Sequence, residues 1–296
     1  MEELNNCPIC KGTEFTFLRK CRDFTVSQEE FSLISCAKCG LVFTNPRPDA
    51  TNISKYYESP DYISHSNSRK GLINQLYQTV RSYSLKKKLA LINQLKLKNK
   101  VILDIGCGTG EFLAVCDKDG WKTLGIEPNQ SARNQAIENW NLKVYPESHL
   151  NSIDEKNKPQ VITMWHVLEH VHSLEERLNQ IKTLLQSNGY LIIAVPNPES
   201  WDAEHYQNHW AAYDVPRHLY HFSPSVLKKY IEFSGFEHQK SLPMKFDSFY
   251  VSMLSEKYKR GKQNLINALF NGFRSNLKAK NDPEKYSSVI YIFRKK

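Results

Sequence analysis

The chain has 296 residues, 40% hydrophobic and 24% charged, enough to bury a sizeable core in one large domain with an appendage or in two modest ones. Lys and Arg outnumber Asp and Glu by 40 to 31, a formal charge of +9, which suits nucleic acid, a phosphate-bearing metabolite or an anionic surface as partner, or simply a solvated basic surface. The longest apolar runs are strand-sized (Leu191–Val195 is one), which excludes a transmembrane helix, and the opening MEELNNCPIC has neither the basic nor the apolar stretch of a secretory leader.

A reducing, cytoplasmic location is therefore expected, where the seven cysteines serve metal or thiol roles before disulfides. Four of them open the chain as Cys7-Pro-Ile-Cys10 and Cys36-Ala-Lys-Cys39, with residues 11–35 between the pairs. Each pair grips one metal ion through a tight knuckle, with Gly12 and Gly40 expected to permit the turns. The gap is a little longer than the usual ribbon spacing of about 15–20 residues and leaves room for a hairpin. Four thiolates leave no open coordination position, so the expected ion is a structural zinc. Cys21, Cys107 and Cys116 read as packed thiols.

Residues 44–60 read as a loop. From about Arg69 to Lys98, Leu72, Leu76, Val80, Tyr83, Leu85, Leu89 and Ile92 recur at helical spacing. At Val101 the pattern changes. Strands VILDI, TLGIEPN, LKVYP, VITMW and YLIIAVP alternate with helices EFLAVCDKDG, SARNQAIENW (Ser131 in its cap region) and Ser173–Gln186. This alternation predicts a parallel sheet with helices on both faces and right-handed crossovers. Beyond it come a histidine- and aromatic-rich segment, a helix capped by Ser223 and stopped at Gly235, a helical stretch at about 249–280, and a terminal strand SSVIYIF. The implied divisions are 1–48 for the cysteine module, 49–98 for a helical linker or lid, and 99–296 for the α/β domain.

Asp104-Ile-Gly106-Cys-Gly108-Thr-Gly110 lies between a strand and a helix, where glycine lets a ligand approach the backbone. A dinucleotide fingerprint needs glycine at 111, where Glu111 would oppose a pyrophosphate, and a P-loop ending is absent. The loop suits a phosphate-free, partly cationic ligand. S-adenosylmethionine is one: Asp104 can face its ammonium, and Glu127, at the next strand end, offers two acceptor oxygens to a ribose diol.

VILDIGCGTGEF, LGIEPN, VLEHV and LLQSNGYLIIAVPN together resemble the class I S-adenosylmethionine-dependent methyltransferases, with a core like that of the type 23 and ubiquinone methylases. The resemblance covers roughly residues 98–240. It implies a Rossmann-like seven-stranded sheet with an antiparallel last strand, which SSVIYIF can supply. It also implies that Gly106, Gly108 and Gly110 line the cofactor, that Glu127 holds the ribose, that Glu147 or Ser148 lies near adenine, and that Trp165 and His166 lie near the methionine moiety. The usual acid near adenine is replaced here by Tyr-Pro-Glu-Ser. CPIC and CAKCGLVFTNPRP ahead of such a core resemble bacterial methyltransferases with an N-terminal zinc knuckle, and partly the sugar C-methyltransferases of deoxysugar pathways.

His166-Val-Leu-Glu169-His170 matches an inverted zinc-protease string by letter only, because His166 sits at a strand exit and the two rings diverge. His170 is expected in the active cleft. Residues 199–222 form a loop over the substrate, with aromatic side chains shaping a pocket. Within it Arg217 offers a bidentate clamp for an anionic acceptor and His218 is the candidate general base. The expected function is methyl transfer to a small molecule, whether a sugar, a nucleotide-sugar or a quinone-like phenol. RNA or protein methylation and a non-catalytic cofactor-binding zinc scaffold are the alternatives.

Overall fold

The computed structural model describes residues 1–58, 72–153 and 158–296. The expected helix start near Arg69 and residues 59–71 of the 49–98 linker lie outside them. The cysteine-bearing segment folds as β1 (Phe15–Arg22) and β2 (Glu30–Cys36), an antiparallel hairpin, with β3 (Val42–Thr44) on the far side of β2. The hairpin turn is built on Asp23, whose carboxylate accepts the backbone N–H groups of Thr25, Val26 and Ser27 and the Ser27 hydroxyl.

Helix α1 (Leu72–Asn93) leads to the alternating region. This runs β4 (Val101–Ile105), α2 (Glu111–Lys118), β5 (Lys122–Ile126), α3 (Gln130–Trp140), β6 (Val144–Tyr145), β7 (Val161–Trp165), α4 (Leu174–Leu184) and β8 (Tyr190–Pro196). After it come α5 (Trp201–Tyr206), β9 (Tyr220–His221), α6 (Pro224–Phe233), β10 (Phe236–Pro243), α7 (Asp247–Arg260), α8 (Leu265–Ala279) and β11 (Ser288–Lys295). Seven strands form one sheet in the order β10-β11-β8-β7-β4-β5-β6. From β6 to β8 the pairings are parallel, and β11 inserts antiparallel to both β8 and β10. This is the expected Rossmann-like sheet with its antiparallel closing strand.

The central strands have no wet face: Ile102, Leu103, Val161, Ile162, Ile192 and Ile193 are fully buried, as parallel strands covered on both sides must be. Burying them brings the carboxyl ends of β4, β5 and β7 to one rim. Helix α8 packs inward through Ala268, Gly272, Ser275 and Ala279, and a Cβ at Gly272 would lie 2.6 Å from Phe249 on α7. Its outer face exposes Ile266, Phe270 and Phe273.

Four local expectations are corrected. The cap of α3 is Asn129, which accepts from the Ala132 N–H, not Ser131. The residue at positive φ in the first cysteine knuckle is Lys11 (φ +59), while Gly12 gives close approach, its missing Cβ standing 3.3 Å from Cys36 Sγ. The helical stretch at 249–280 is two helices, divided at Gly261 (φ +71) with Asn264 capping the second. Strand β10 was not expected, because FEHQKSLP is polar, as suits a strand paired on one edge only.

The N-terminal module is not a separate bead. Strand β9 adds to β3 through Val42–His221 and Phe43–Tyr220, giving a four-stranded sheet in the order β1-β2-β3-β9. Cys7, Cys36, Leu41 and Phe43 share one buried cluster with Leu219, Tyr220, Val226 and the underside of the seven-stranded sheet.

Candidate functional site

The three loop glycines after β4 all take left-handed backbone, with φ +73, +55 and +83 at Gly106, Gly108 and Gly110. Two are forced by neighbours: a Cβ would lie 2.4 Å from Val167 at Gly106 and 2.8 Å from both Ala136 and Leu142 at Gly110. At Gly108 a Cβ would meet nothing within 4 Å, so this face of the loop is open to a ligand. Glu127, at the end of β5, reaches back to the loop, its oxygens accepting the N–H groups of Gly108 and Asn129, each at 2.9 Å. Burial raises the Glu127 carboxyl against those two donors, and four lone-pair sites leave it further accepting capacity.

Asp104 is 2% exposed and accepts one hydrogen bond, from Thr163 Oγ1 at 2.5 Å. Burial pushes its carboxyl up to about 7 against that bond and the charge of Lys88 on α1. Lys88 Nζ lies 4.1 Å above the ring of Trp165, and burial lowers its ammonium to about 8. Trp165 Nε1 is buried without a hydrogen-bond partner among the described residues. An aromatic face beside an under-compensated carboxylate favours a cation. Glu111, which disqualified a pyrophosphate, pairs with Arg81 at 2.5 Å and accepts from Thr109 Oγ1.

Past β7, a short 3-10 turn (Leu168–His170) sends neighbouring side chains apart. His166, at φ +56, sets Nε2 3.1 Å from Asp247 of α7 and Nδ1 3.5 Å from Glu169. Burial works against its charge, but these two carboxylates raise the imidazolium to about 9. His170 turns instead to His218, the rings meeting edge to face at 4.6 Å. Burial and the nearness of His218 lower His170 to about 4, so it is neutral near pH 7. His218 is 8% exposed, with Nδ1 2.8 Å from the Ala212 carbonyl and Nε2 4.0 Å from Glu169.

Three expected roles do not survive this geometry. Arg217 is 1% exposed, and its guanidinium donates to Asp23, to both oxygens of Asp214 and to the Tyr56 carbonyl, so it ties the 199–222 segment to the β1–β2 turn and cannot clamp an acceptor. Glu147 is taken by Arg177 of α4 and Ser148 is exposed, which removes the support for an adenine contact. The aromatic residues of 199–222 are core: Tyr206, Trp210 and Tyr213 are buried, and Trp210 Nε1 donates to Asp202, which also accepts from Ser275 and Ser287. A groove of about 990 Å³ between the N-terminal module and α4, lined by Lys11, Arg47, His172 and Glu176 among others, contains none of the glycine-loop residues and none of His166, His170 and His218.

A profile described as a methyltransferase domain matches residues 77–241, more than half of the 296-residue chain. The chain belongs to the methyltransferase-domain family. It carries the fold of the S-adenosylmethionine-dependent members: the magnesium protoporphyrin IX methyltransferase of Synechocystis PCC 6803, solved with bound S-adenosylhomocysteine, superposes with a TM-score of 0.54 at 12% identity over 84% of this chain and 100% of that one. Among curated relatives, a ubiquinone biosynthesis O-methyltransferase of Pelagibacter ubique is 31% identical over 106 residues, 34% of this chain and 44% of that protein. A tRNA U34 carboxymethyltransferase of Ruthia magnifica is 36% identical over 112 residues, 35% of each. The methyltransferase thus spans less than half the length of these relatives.

Ahead of the methyltransferase core, the ligand atoms of Cys7, Cys10, Cys36 and Cys39 all lie within 4.8 Å of one another, with Cys7–Cys39 and Cys10–Cys36 sulfurs at 3.5 Å. Tetrahedral zinc–thiolate bonds of about 2.3 Å put sulfurs about 3.8 Å apart, so the quartet fits a zinc ion. Both knuckles close alike: Lys11 N–H bonds the Cys7 carbonyl, and Gly40 N–H the Cys36 carbonyl.

Asp247, Tyr57 and Lys88 belong to no motif, and Glu169 entered only as a letter of the dismissed zinc-protease string. Glu169 had a signal, an acid inside the otherwise apolar turn Val167-Leu168-Glu169. The other three come from elements far along the chain and carry no local mark. No helix among the described residues is long and apolar enough to cross a membrane.

Proposed function

We propose that this methyltransferase transfers the methyl group of S-adenosylmethionine to a hydroxyl or carbon of a small molecule such as a sugar, a nucleotide-sugar or a quinone-like phenol. When bound, the cofactor supplies a methyl carbon activated by the sulfonium charge. Asp104 would hold its ammonium, Glu127 the ribose hydroxyls, and Gly106, Gly108 and Gly110 the close backbone approach. Trp165 and His166 would flank the methionine moiety at the rim of β7.

The acceptor end is assigned to Glu169, His170 and His218. The observation that carries the small-molecule reading is the seclusion of this cluster: Glu169 is 1% and His218 8% exposed beneath residues 199–222. A folded macromolecule cannot bring its surface there without displacing packed core. The two ubiquinone biosynthesis O-methyltransferases among the relatives support the same class of acceptor. With Nδ1 directed at the Ala212 carbonyl, the neutral form of His218 would have its lone pair on Nε2, where it can receive a proton. The remaining work is placement: the new bond forms as the carbon–sulfur bond breaks, its electron pair stays on sulfur, and an acceptor hydroxyl gives up its proton.

The test is incubation of the purified protein with methyl-labelled S-adenosylmethionine and a metabolite extract, followed by mass identification of the product. Label in a low-mass compound is expected. Label confined to RNA, with salt-dependent retention of the protein on RNA, would replace the small molecule by the nucleic-acid alternative. His218→Ala is expected to slow turnover and leave cofactor affinity unchanged.

A further inference from the structure

Glu169 poses a problem of charge. It is 1% exposed, and neither carboxylate oxygen has a hydrogen-bond donor among the described residues. The nearest basic group is His166, whose Nδ1 stands 3.5 Å from Oε1, beyond good hydrogen-bond reach. Buried carboxylate oxygens without a donor call for a further partner.

The side chains around it are arranged as ligands. Glu169, His170 and His218 offer one ligand atom each, all within 4.8 Å of one another. His218 Nδ1 is 2.8 Å from the Ala212 carbonyl, and His170 Nδ1 is 3.0 Å from the Arg217 carbonyl. A carbonyl can only accept, so each Nδ1 carries a hydrogen toward it, and in the neutral ring the lone pair is then on Nε2. A backbone carbonyl on the far ring nitrogen is the usual outer support of a metal-binding histidine.

We propose that Glu169, His170 and His218 bind one divalent transition-metal ion, separate from the ion expected at the four cysteines. Two imidazoles and one carboxylate form a nitrogen–oxygen set that suits zinc, cobalt or manganese and leaves coordination positions open. The outer shell is in place. His166, anchored on Asp247, stands 3.5 Å from Glu169 Oε1, the Tyr57 hydroxyl is 2.9 Å from His170 Nδ1, and Asp214 lies 3.9 Å from His218 Nε2. The ion would join the turn after β7 to the 199–222 segment. In the acceptor site proposed above, and resting on that reading, His218 Nε2 would then be a ligand and not the base, and an open position on the ion would take the acceptor hydroxyl and ease its deprotonation. The site itself rests on the three side chains alone.

The test is titration of the zinc-loaded 296-residue chain with Mn2+, followed by electron paramagnetic resonance, with Co2+ absorption as a second measurement. Manganese discriminates because hard cations avoid thiolates. One saturable equivalent of Mn2+ per chain is expected, together with Co2+ bands of nitrogen–oxygen ligation. Glu169→Gln and His218→Gln should each weaken Mn2+ binding more than 10-fold. Absence of saturable uptake of both ions by the unaltered chain overturns the site, and so does uptake unchanged in both variants. Titration of the same samples with S-adenosylmethionine separates the two readings. Cofactor binding without metal uptake removes the metal alone, and metal uptake without cofactor binding removes the methyl-transfer reading alone.

Discussion

Asp104 is buried and Asp214 half-buried, yet the protein treats them oppositely. Asp104 receives one hydroxyl donor, and burial leaves its carboxyl lifted to about 7. Burial would lift Asp214 too, but Arg217 is bound across both of its oxygens and holds it below the ordinary range. The first is a charge waiting for a partner, and the second is half of a finished ion pair. Ionisable residues in a motif mark a site only where the fold leaves them under-compensated, and residue type alone does not reveal which case applies.

The largest effect is expected where the unmet groups are thiols. Removing metal from the cysteine quartet, by chelation or by Cys36→Ser, should lower the melting midpoint by roughly 10 °C or more, since zinc in small thiolate modules contributes about 10–16 kcal/mol of folding free energy. A melting curve indifferent to chelator would count the quartet among the finished structures. Next comes Arg217→Ala, which leaves Asp23 and Asp214 unpaired, Asp23 in full burial. A loss of about 3–5 kcal/mol in urea unfolding is expected. Unchanged stability with a raised KM for the acceptor would restore Arg217 as a substrate clamp and break the comparison.

Gly108→Ala sharpens it from the other side. The added methyl meets no protein atom within 4 Å, so the stability cost is the left-handed backbone, about 1–2 kcal/mol. Calorimetric affinity for S-adenosylmethionine should fall about 100-fold, and an unaltered affinity would remove the loop from the cofactor site. The smallest effect belongs to Asp104→Asn. A folded-state value near 7 against an ordinary 3.8 means that folding favours the neutral form. Its contribution to stability is full below pH 3.8 and is lost as the pH rises through 7. The variant should therefore be more stable than the parent at pH 8, by on the order of 2 kcal/mol, with the gain fading toward pH 4. Cofactor affinity should drop at the same time. A variant destabilised at pH 8 would show that Asp104 is already satisfied.

How much of this was legible in the sequence follows from the range of the forces involved. The glycine loop, Glu127 and the alternating strands are set by local backbone demands and apolar runs, and the structure places them where the residues imply. The four cysteines announce themselves by spacing. Arg217, Glu147 and the aromatic residues of 199–222 were misread because their partners, Asp23, Arg177 and Asp202 with Trp210, are chosen by tertiary packing. Glu169 was set aside with the zinc-protease string because its meaning lies in what does not touch it. Strand β10 escaped because an edge strand needs no apolar face on its open side.

The pairing of β9 with β3 has a consequence for how the chain is made. During synthesis the cysteine quartet and the β1–β2 hairpin leave the ribosome early, but the fourth strand of their sheet exists only once His221 has been translated. Until then Val42–Thr44 presents a bare edge open to any other extended segment. A nascent or truncated chain ending before Tyr220 would carry that edge unprotected even with its metal bound, so capping it falls to the same stretch of residues that brings His218 to Glu169.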